Sequence, residues 1–362
     1  MALIQSQLVE QMKQLLTPGF ENPEMTHGSC LLCITDEQMC HFIVMEVAPM
    51  LRIYGGQHAK PDAVIKMPLE TFELIATHAD RVDFRDPYVI GSIELEGDRD
   101  LVNYFGKLML QPSQDTSDRL DPLLARECAA YHLTQIERVA QVTELELLQT
   151  LADCKPIVIT QPKFPHPHTD WSIDALVKQY GDVDLRVRSK DEQETLGQFV
   201  QRMQQAQSQT TKITEGHTKA YTEGCTLPEV MAAEFVPAYF SLHDYIEPQI
   251  WLGNVPTHVA ASSLHRDPLD GFLYQVMGRK KLLMYAPDQA PLLYPMKAYN
   301  NYQPCWVKPE APDFERYPAF AKAKPIEVIL HPGELLIQPA GWFHVVYCLD
   351  TPTFSVSHFY RH

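Results

Sequence analysis

The sequence predicts an α+β protein whose C-terminal part is a jelly roll. Beyond residue 246, short β-forming runs alternate with glycine and proline, which is typical of a sandwich or barrel of strands. The N-terminal part instead mixes strand-like runs with helical spacing, as in Leu8, Met12 and Leu15. A hydrophobic content of 45% with 21% charged residues fits a folded chain and excludes one that is mostly disordered.

The composition shifts along the chain predict two domains and a connection. Residues 1–111 are expected to form one α+β domain, and residues 135–362 the jelly-roll domain. The stretch 111–122 is polar and carries two prolines, so it is the predicted linker. A connecting helix is expected over residues 123–133, which completes a linking region at 112–134.

The overall charge limits the classes of partner. Acidic residues outnumber basic ones 46 to 30, for a formal charge of −16, so a dedicated nucleic-acid surface is not expected. No apolar run reaches the ~18 residues that cross a bilayer, and the first residues lack a secretory signal pattern. Eight cysteines are too few for a disulfide framework, so we expect a cytoplasmic protein.

Two motifs predict a metal centre. In the motif LHRDP, His265 and Asp267 stand at i and i+2, which is one face of a strand. A second motif, PGELLIQPAGWFH, ends a strand in a turn and presents His344. Two imidazoles and one carboxylate are the facial ligand set of Fe(II), and they leave coordination positions open for a chelating cosubstrate and O2.

A chelating 2-oxo acid also needs a positive charge for its far carboxylate. Residues 272–277 and 280–285 are predicted to be adjacent strands joined by a two-residue turn that begins with Gly278. Lys280 then lies close to the metal ligands and is the expected partner of that carboxylate. Ser262 and Tyr274 are expected to add hydroxyl hydrogen bonds to it.

The stretch 251–360, which contains these candidate ligands and Lys280, resembles the JmjC hydroxylases. These are cupin-like oxygenases dependent on Fe(II) and 2-oxoglutarate. The motifs that carry the resemblance are LHRDP at 264–268, FLYQVMGRK at 272–280, YPAFAKA at 317–323, PGELL at 332–336 and GWFH at 341–344. The small JmjC protein hydroxylases are the most similar group. The resemblance implies a double-stranded β-helix fold and hydroxylation of an amino-acid side chain in a protein or peptide.

The resemblance makes His265, Asp267 and His344 the iron ligands, and Lys280, assisted by Ser262, the 2-oxoglutarate binder. One departure concerns the cosubstrate contact, because these relatives usually carry Asn six residues after the first His, where this chain has Gly271. Tyr221 and Tyr239 are both candidates for the upstream tyrosine that meets the cosubstrate. Two other readings stay open: a non-catalytic relative that binds peptide or lipid, and a cupin metalloenzyme that does not use 2-oxoglutarate.

The N-terminal region is similar to the sterol carrier protein type-two fold. The similarity is carried by the motif IKMPLETF at 65–72 and by GSIELEGD at 91–98 before a helix. It implies an apolar tunnel, so an apolar ligand or a protein partner is expected at this domain. A second copy of the chain is a further candidate partner. No metal or nucleophile constellation is expected in the N-terminal region.

Overall fold

The computed structural model describes residues 2–37, 39–79, 82, 89, 91–164, 170–185, 194–208 and 220–360. The chain divides into two compact units. The first contains Met1–Arg119 together with Tyr294–Trp306 and Asp313–Pro318, and the second contains the remainder. Among the described residues, no helix combines the length and the apolar character that crossing a bilayer requires.

The N-terminal part of the first unit is a five-stranded sheet with helices packed on it, as the α+β class predicts. The strand order is β3-β2-β1-β4-β5, in which only β1 and β4 run parallel. The elements are α1 (Ala2–Leu16), β1 (Gly28–Thr35), β2 (Cys40–Val47), β3 (Leu51–Gly55), β4 (Ala63–Pro68), α2 (Leu69–His78), β5 (Glu94–Gly97) and α3 (Arg99–Leu108).

The core of this sheet follows from strand alternation. Cys30, Leu32 and Ile34 lie on one face of β1 and are fully buried. The helices cover the sheet with residues at helical spacing, such as Phe72 of α2 and Phe105 of α3. Helix α3 begins where the Asp98 carboxylate accepts hydrogen bonds from the amides of the first turn.

The predicted linker is largely helical. Residues Gln114–Ala125 form helix α4. The helix expected over 123–133 is not formed as such, because α4 ends at Ala125 and a separate 3-10 turn follows at Ala129–His132. Ser113 begins α4 by accepting a hydrogen bond from the Thr116 amide at 3.1 Å, and Arg119 pairs with Asp115 one turn earlier. Local capping and charge spacing therefore outweigh the polar composition that indicated a loop.

The second unit is built on two sheets. One has the order β10-β11-β19-β13-β17-β7-β6, and in the other β12, β18, β14 and β16 are neighbours in that order. Its helices are α5 (Glu144–Ala152), α6 (Ile173–Tyr180), α7 (Leu196–Ser208), α8 (Glu229–Phe235) and α9 (Ala290–Leu293). Its strands are β6 (Glu137–Val139), β7 (Ile157–Ile159), β8 (Asp184–Leu185), β9 (Glu194–Thr195), β10 (Cys225–Thr226), β11 (Tyr245–Gly253), β12 (Ala260–Arg266), β13 (Asp270–Met277), β14 (Lys280–Tyr285), β16 (Ile326–Leu330), β17 (Leu335–Gln338), β18 (Phe343–Cys348) and β19 (Thr353–Tyr360).

The larger sheet separates two apolar clusters. On its outer face, Phe272, Tyr274 and Ile337 pack with residues of helices α5 to α8. On its inner face, Leu273 and Leu336 pack with residues of β14, β16 and β18 from the other sheet. Two sheets, antiparallel except for the pair β6–β7, face each other across an apolar interior and make up the expected jelly roll.

Part of the chain between α9 and β16 belongs to the first unit and is hydrogen-bonded to residues of its N-terminal region. The Glu21 carboxylate accepts a hydrogen bond from the Lys297 amide at 2.8 Å and one from Trp306 Nε1 at 3.1 Å. The short strand β15 (Gln303–Pro304) lies in this part of the chain, and Asn300 donates to the Val82 carbonyl oxygen. A segment that follows strand β14 in sequence is therefore packed into the N-terminal fold.

Candidate metal centre

Three side chains with metal-ligand chemistry meet inside the second unit. Strands β12 and β18 are antiparallel neighbours, and their register places His265 directly opposite His344. Asp267 follows one residue after β12 ends, and its Oδ2 lies 3.9 Å from His265 Nε2 and 3.7 Å from His344 Nε2. The three ligand atoms lie within 4.8 Å of one another, and no other such group of three or more occurs among the described residues.

The orientation of both rings is fixed by backbone carbonyl groups. His265 Nδ1 lies 2.6 Å from the Ser263 carbonyl oxygen, and His344 Nδ1 lies 3.3 Å from that of Trp342. A ring that donates from Nδ1 carries its lone pair on Nε2, the nitrogen that faces Asp267. The backbone therefore selects the tautomer that binds a cation.

The ionisation of these groups reflects their burial. Burial raises the pKa of Asp267 above its ordinary value, and the neighbouring His265 partly offsets that rise. Burial, with a further contribution from His265, lowers the pKa of His344 well below its usual range. A neutral imidazole and a carboxylate that lacks solvent are both stabilised by a divalent cation. The two imidazoles, each with Nδ1 hydrogen-bonded to a backbone carbonyl oxygen, and the one carboxylate therefore fit Fe(II).

A buried cation lies further along the same interior. Strand β14 pairs with β18, so that Met284 is opposite His344 and Lys280 is opposite Cys348. This four-residue offset corresponds to about 13 Å along the strands, which the lysine side chain can shorten. Only 2% of Lys280 is exposed, and its Nζ donates hydrogen bonds to Tyr221 Oη, at 3.2 Å, and to Ser355 Oγ. Burial lowers the pKa of Lys280 to about 8.

Comparison with known proteins shows which family has this arrangement. The model of the cupin-like domain family matches residues 128–362, which is more than half of the chain. The chain belongs to the cupin-like domain family. The matched range contains all three ligands and Lys280.

Curated relatives extend the family match. Lysine-specific demethylase 8 of Xenopus tropicalis is 35% identical over 36% of this chain and 30% of its own length, and that of Danio rerio is 31% identical over 56% and 52%. The tRNA wybutosine-synthesizing protein 5 of Gallus gallus is 43% identical over 23% and 24%. JmjC domain-containing protein D of Dictyostelium discoideum is 34% identical over 31% and 25%, so the JmjC resemblance is confirmed. The chain spans about a quarter to a half of the length of these relatives.

Two solved structures of sterol carrier protein 2 like 2 from Aedes aegypti are also similar to the chain. One, the palmitated protein, matches over 28% of this chain and 93% of its own length, at 21% identity and a TM-score of 0.25. The other covers 30% and 98%, at 22% identity and a TM-score of 0.24. The role of the N-terminal region stays a prediction.

Within this cupin-like domain, Tyr274 does not face the interior, contrary to the prediction from the sequence. Strand alternation puts Tyr274 on the outer face of β13, where its ring centroid is 4.4 Å from that of Phe164. The inner position on that strand belongs to Leu273, so the expected contact of Tyr274 with the cosubstrate carboxylate is wrong. Ser262 is half-buried and pairs with Val346, two residues beyond His344 on β18.

Two hydroxyl groups meet Lys280 instead. Tyr221 was one of two candidates in the sequence, and the other, Tyr239, accepts a hydrogen bond from the Lys163 amide. Ser355 was missed by the sequence reasoning. The signal was available, because polar residues alternate with Phe354 and Val356 along the last strand and therefore share one face.

Proposed function

We propose that the protein is an oxygenase dependent on Fe(II) and 2-oxoglutarate that hydroxylates an amino-acid side chain of a protein or peptide. The observation that carries the proposal is the pairing of two opposite binding sites in one interior. A ligand set for a divalent cation lies near His344, and a buried ammonium group lies four residues away on the neighbouring strand. A dicarboxylate that chelates the metal at one end and pairs with Lys280 at the other satisfies both.

The residues of the chain have separate tasks in this reaction. His265, Asp267 and His344 would hold the metal on one side, which leaves the other side open for cosubstrate and O2. Lys280, Tyr221 and Ser355 would bind the far carboxylate and fix its direction. Bound Fe(II) would supply O2 activation, with 2-oxoglutarate oxidised to succinate and CO2 and one oxygen atom inserted into a substrate C–H bond.

The net charge of the chain and the relatives it matches both support a protein or peptide substrate. A lysine-specific demethylase and a JmjC protein are among the relatives, which favours a protein or peptide substrate. Another relative is named for tRNA wybutosine synthesis, but nucleic acid needs clustered positive charge, and this chain carries a formal charge of −16.

Anaerobic addition of Fe(II) and 2-oxoglutarate tests the proposal. The expected result is a weak visible charge-transfer band, followed by succinate formation when O2 is admitted. Metal binding without the band would favour a cupin metalloenzyme that does not use 2-oxoglutarate. Absence of metal binding would favour the non-catalytic binding protein. Trapping of proteins from a lysate by the Asp267→Ala variant would then identify the substrate.

We further propose that residues 1–111 bind a partner, substrate segment or apolar ligand and take no part in the chemistry. The support is the sequence, in which no metal or nucleophile constellation is expected there. A cytoplasmic location is likewise proposed, because eight cysteines in 362 residues are too few for a disulfide framework. Fractionation of cells that express the full chain tests the location.

A further inference from the structure

A buried amide inside the cupin-like domain lacks a hydrogen-bond partner. Gln338 ends strand β17 and is 9% exposed. Its Nε2 is buried, and no acceptor for it occurs among the described residues. A buried donor that is left unsatisfied destabilises the fold, so a buried amide of this kind is expected to meet an acceptor.

The register of the strands shows which way this amide faces. Gln338 is directly opposite Gly271 in the pairing of β17 with β13, and Leu336 is opposite Leu273. Alternate residues of a strand share a face, so Gln338 lies on the side of Leu336. That side packs against Met284 and Val346 of the other sheet, and is therefore the inner one. The amide faces the interior that contains His344.

The same amide lies beside two loops, the one that carries Asp267 and the one that leads into strand β18 and His344. Gly271 comes four residues after Asp267, and Gln338 comes shortly before the turn that leads to His344. The two loops are fastened together, because the Gly341 amide donates to the Asp267 carbonyl oxygen at 2.9 Å. The Ala340 amide also donates to Asp270 Oδ1 at 2.7 Å. Gln338 is thus at the metal end of the interior, whereas Lys280 is further along.

Glycine at position 271 leaves room for this amide. A Cβ atom at Gly271 would lie 3.3 Å from the Phe359 ring and 3.6 Å from Gln338 Cβ. A larger side chain on β13 would therefore compete with Gln338 for the inner face. Gly271 replaces the Asn that relatives usually carry, and the carboxamide of Gln338 lies directly opposite it on the neighbouring strand.

We propose that Gln338 Nε2 donates a hydrogen bond to a carboxylate oxygen at the metal-bound end of the 2-oxo acid. This inference rests on the proposed function and adds a binding residue to it. The acceptor chemistry fits because the amide nitrogen can only donate, and because the far carboxylate already has Lys280. A carbonyl oxygen of the substrate offers the same chemistry, so the experiment separates these two sources.

The test measures 2-oxoglutarate binding to protein loaded with Mn(II), which replaces iron without turnover. Gln338→Met keeps the length of the side chain but removes the donor, and it is expected to weaken 2-oxoglutarate binding about five- to tenfold. Mn(II) affinity should stay unchanged. The exposed Gln161→Met is the control and should bind like the wild type. Gln338→Glu places a negative charge beside the carboxylate and should weaken binding more than the Met variant does.

A swap across the strand pair distinguishes ligand contact from simple packing. In the double variant Gly271→Asn with Gln338→Ala, which removes the competing side chain at 338, the carboxamide returns on the neighbouring strand and should recover most of the affinity that Gln338→Ala alone loses. A merely structural role predicts no such recovery. If Gln338→Met fails to fold, Gln338→Glu carries the measurement, since it is isosteric.

The outcomes separate this inference from the proposed function. Wild-type protein that binds 2-oxoglutarate while Gln338→Met binds it equally well would overturn the inference and leave the function intact. If 2-oxoglutarate binding is unchanged and only substrate hydroxylation falls, the amide serves the substrate, and the inference as stated is wrong. Wild-type protein that does not bind 2-oxoglutarate at all would overturn both.

Discussion

The two ends of the domain interior differ in how their charged groups are accommodated. At the metal end, Asp267 and His344 lie 3.7 Å apart, and burial works against the charged form of each. At the other end, Lys280 is buried as a potential cation between two neutral hydroxyl groups. One end therefore requires a cation and the other an anion. A buried charge with no counter-charge is costly, so each end indicates the ligand that would offset it.

The largest effect should come from the metal end. Asp267→Ala removes the only anionic ligand, and Fe(II) affinity should fall by at least about 100-fold, with loss of 2-oxoglutarate turnover. Asp350→Ala is the control, because Asp350 forms a surface ion pair with Arg279. Equilibrium metal titration measures both. Wild-type affinity in Asp267→Ala and in His344→Ala would show that the metal lies elsewhere.

A substitution at Lys280 should affect 2-oxoglutarate binding without affecting metal binding. Lys280→Met should leave metal affinity unchanged and weaken 2-oxoglutarate binding on the order of 100-fold, because the far carboxylate loses its charge partner. Lys281→Met is the matched control, since Lys281 lies on the other face of β14, 5.0 Å from the Tyr347 ring centroid. Calorimetry on Mn(II)-loaded protein reads both variants. Equal losses in the two would assign the carboxylate to another group.

The pH dependence sharpens the comparison, because Lys280 titrates near pH 8 at the end away from the metal ligands. With a pKa of about 8 in the free protein, Lys280 is charged below that pH and increasingly neutral above it. The affinity for 2-oxoglutarate should therefore be nearly constant from pH 6.5 to about 7.5 and fall up to about tenfold per unit above pH 8. Cys348 and Tyr221 face Lys280, and burial raises the pKa of each, so neither provides a counter-charge in this range.

The same titration predicts the sign for stability. The pKa of Lys280 is about 8 in the folded protein, against 10.5 for an ordinary lysine, so the unfolded chain binds more protons between these values. The contribution of Lys280 to the free energy of unfolding should therefore rise as the pH increases from 8 towards 10.5. Denaturant unfolding of wild type and Lys280→Met isolates this term. A difference between them that does not vary with pH would contradict it.

The smallest effect concerns one hydroxyl group. Tyr221→Phe removes a hydrogen-bonding partner of Lys280 and should weaken 2-oxoglutarate binding about fivefold, as expected for about 1 kcal/mol. Tyr239→Phe is the control, because Tyr239 Oη accepts from the Lys163 amide. If only the Tyr239 variant weakens binding, the upstream tyrosine has been misassigned.

The strand periodicity and the two motifs were enough to predict the α+β class, the jelly roll, and the group of residues that meet at the metal centre. Part of this depends on local rules, since His265 and Asp267 are near neighbours in sequence and β14 follows a two-residue turn. His344 is distant in sequence, and it was assigned to the same site from the chemistry of the ligand set and the JmjC resemblance. Gly278 has a φ of +70°, as that turn requires. The helix at Gln114–Ala125 also depends on local signals, its Ser113 cap and its Arg119–Asp115 ion pair. The polar composition of this stretch instead led to the prediction of a linker.

Tertiary structure alone decided which face and which partner each remaining residue has. Tyr274 and Leu273 are adjacent, and the sequence does not say which of them faces the interior until β13 is paired with β17 and β19. Ser355 reaches Lys280, and Gln338 lies opposite Gly271, only through pairings between distant strands. A one-residue change of register would exchange inner and outer side chains along a whole strand. The sequence by itself therefore determined the chemistry that the interior contains, and the strand register determined which side chains take part.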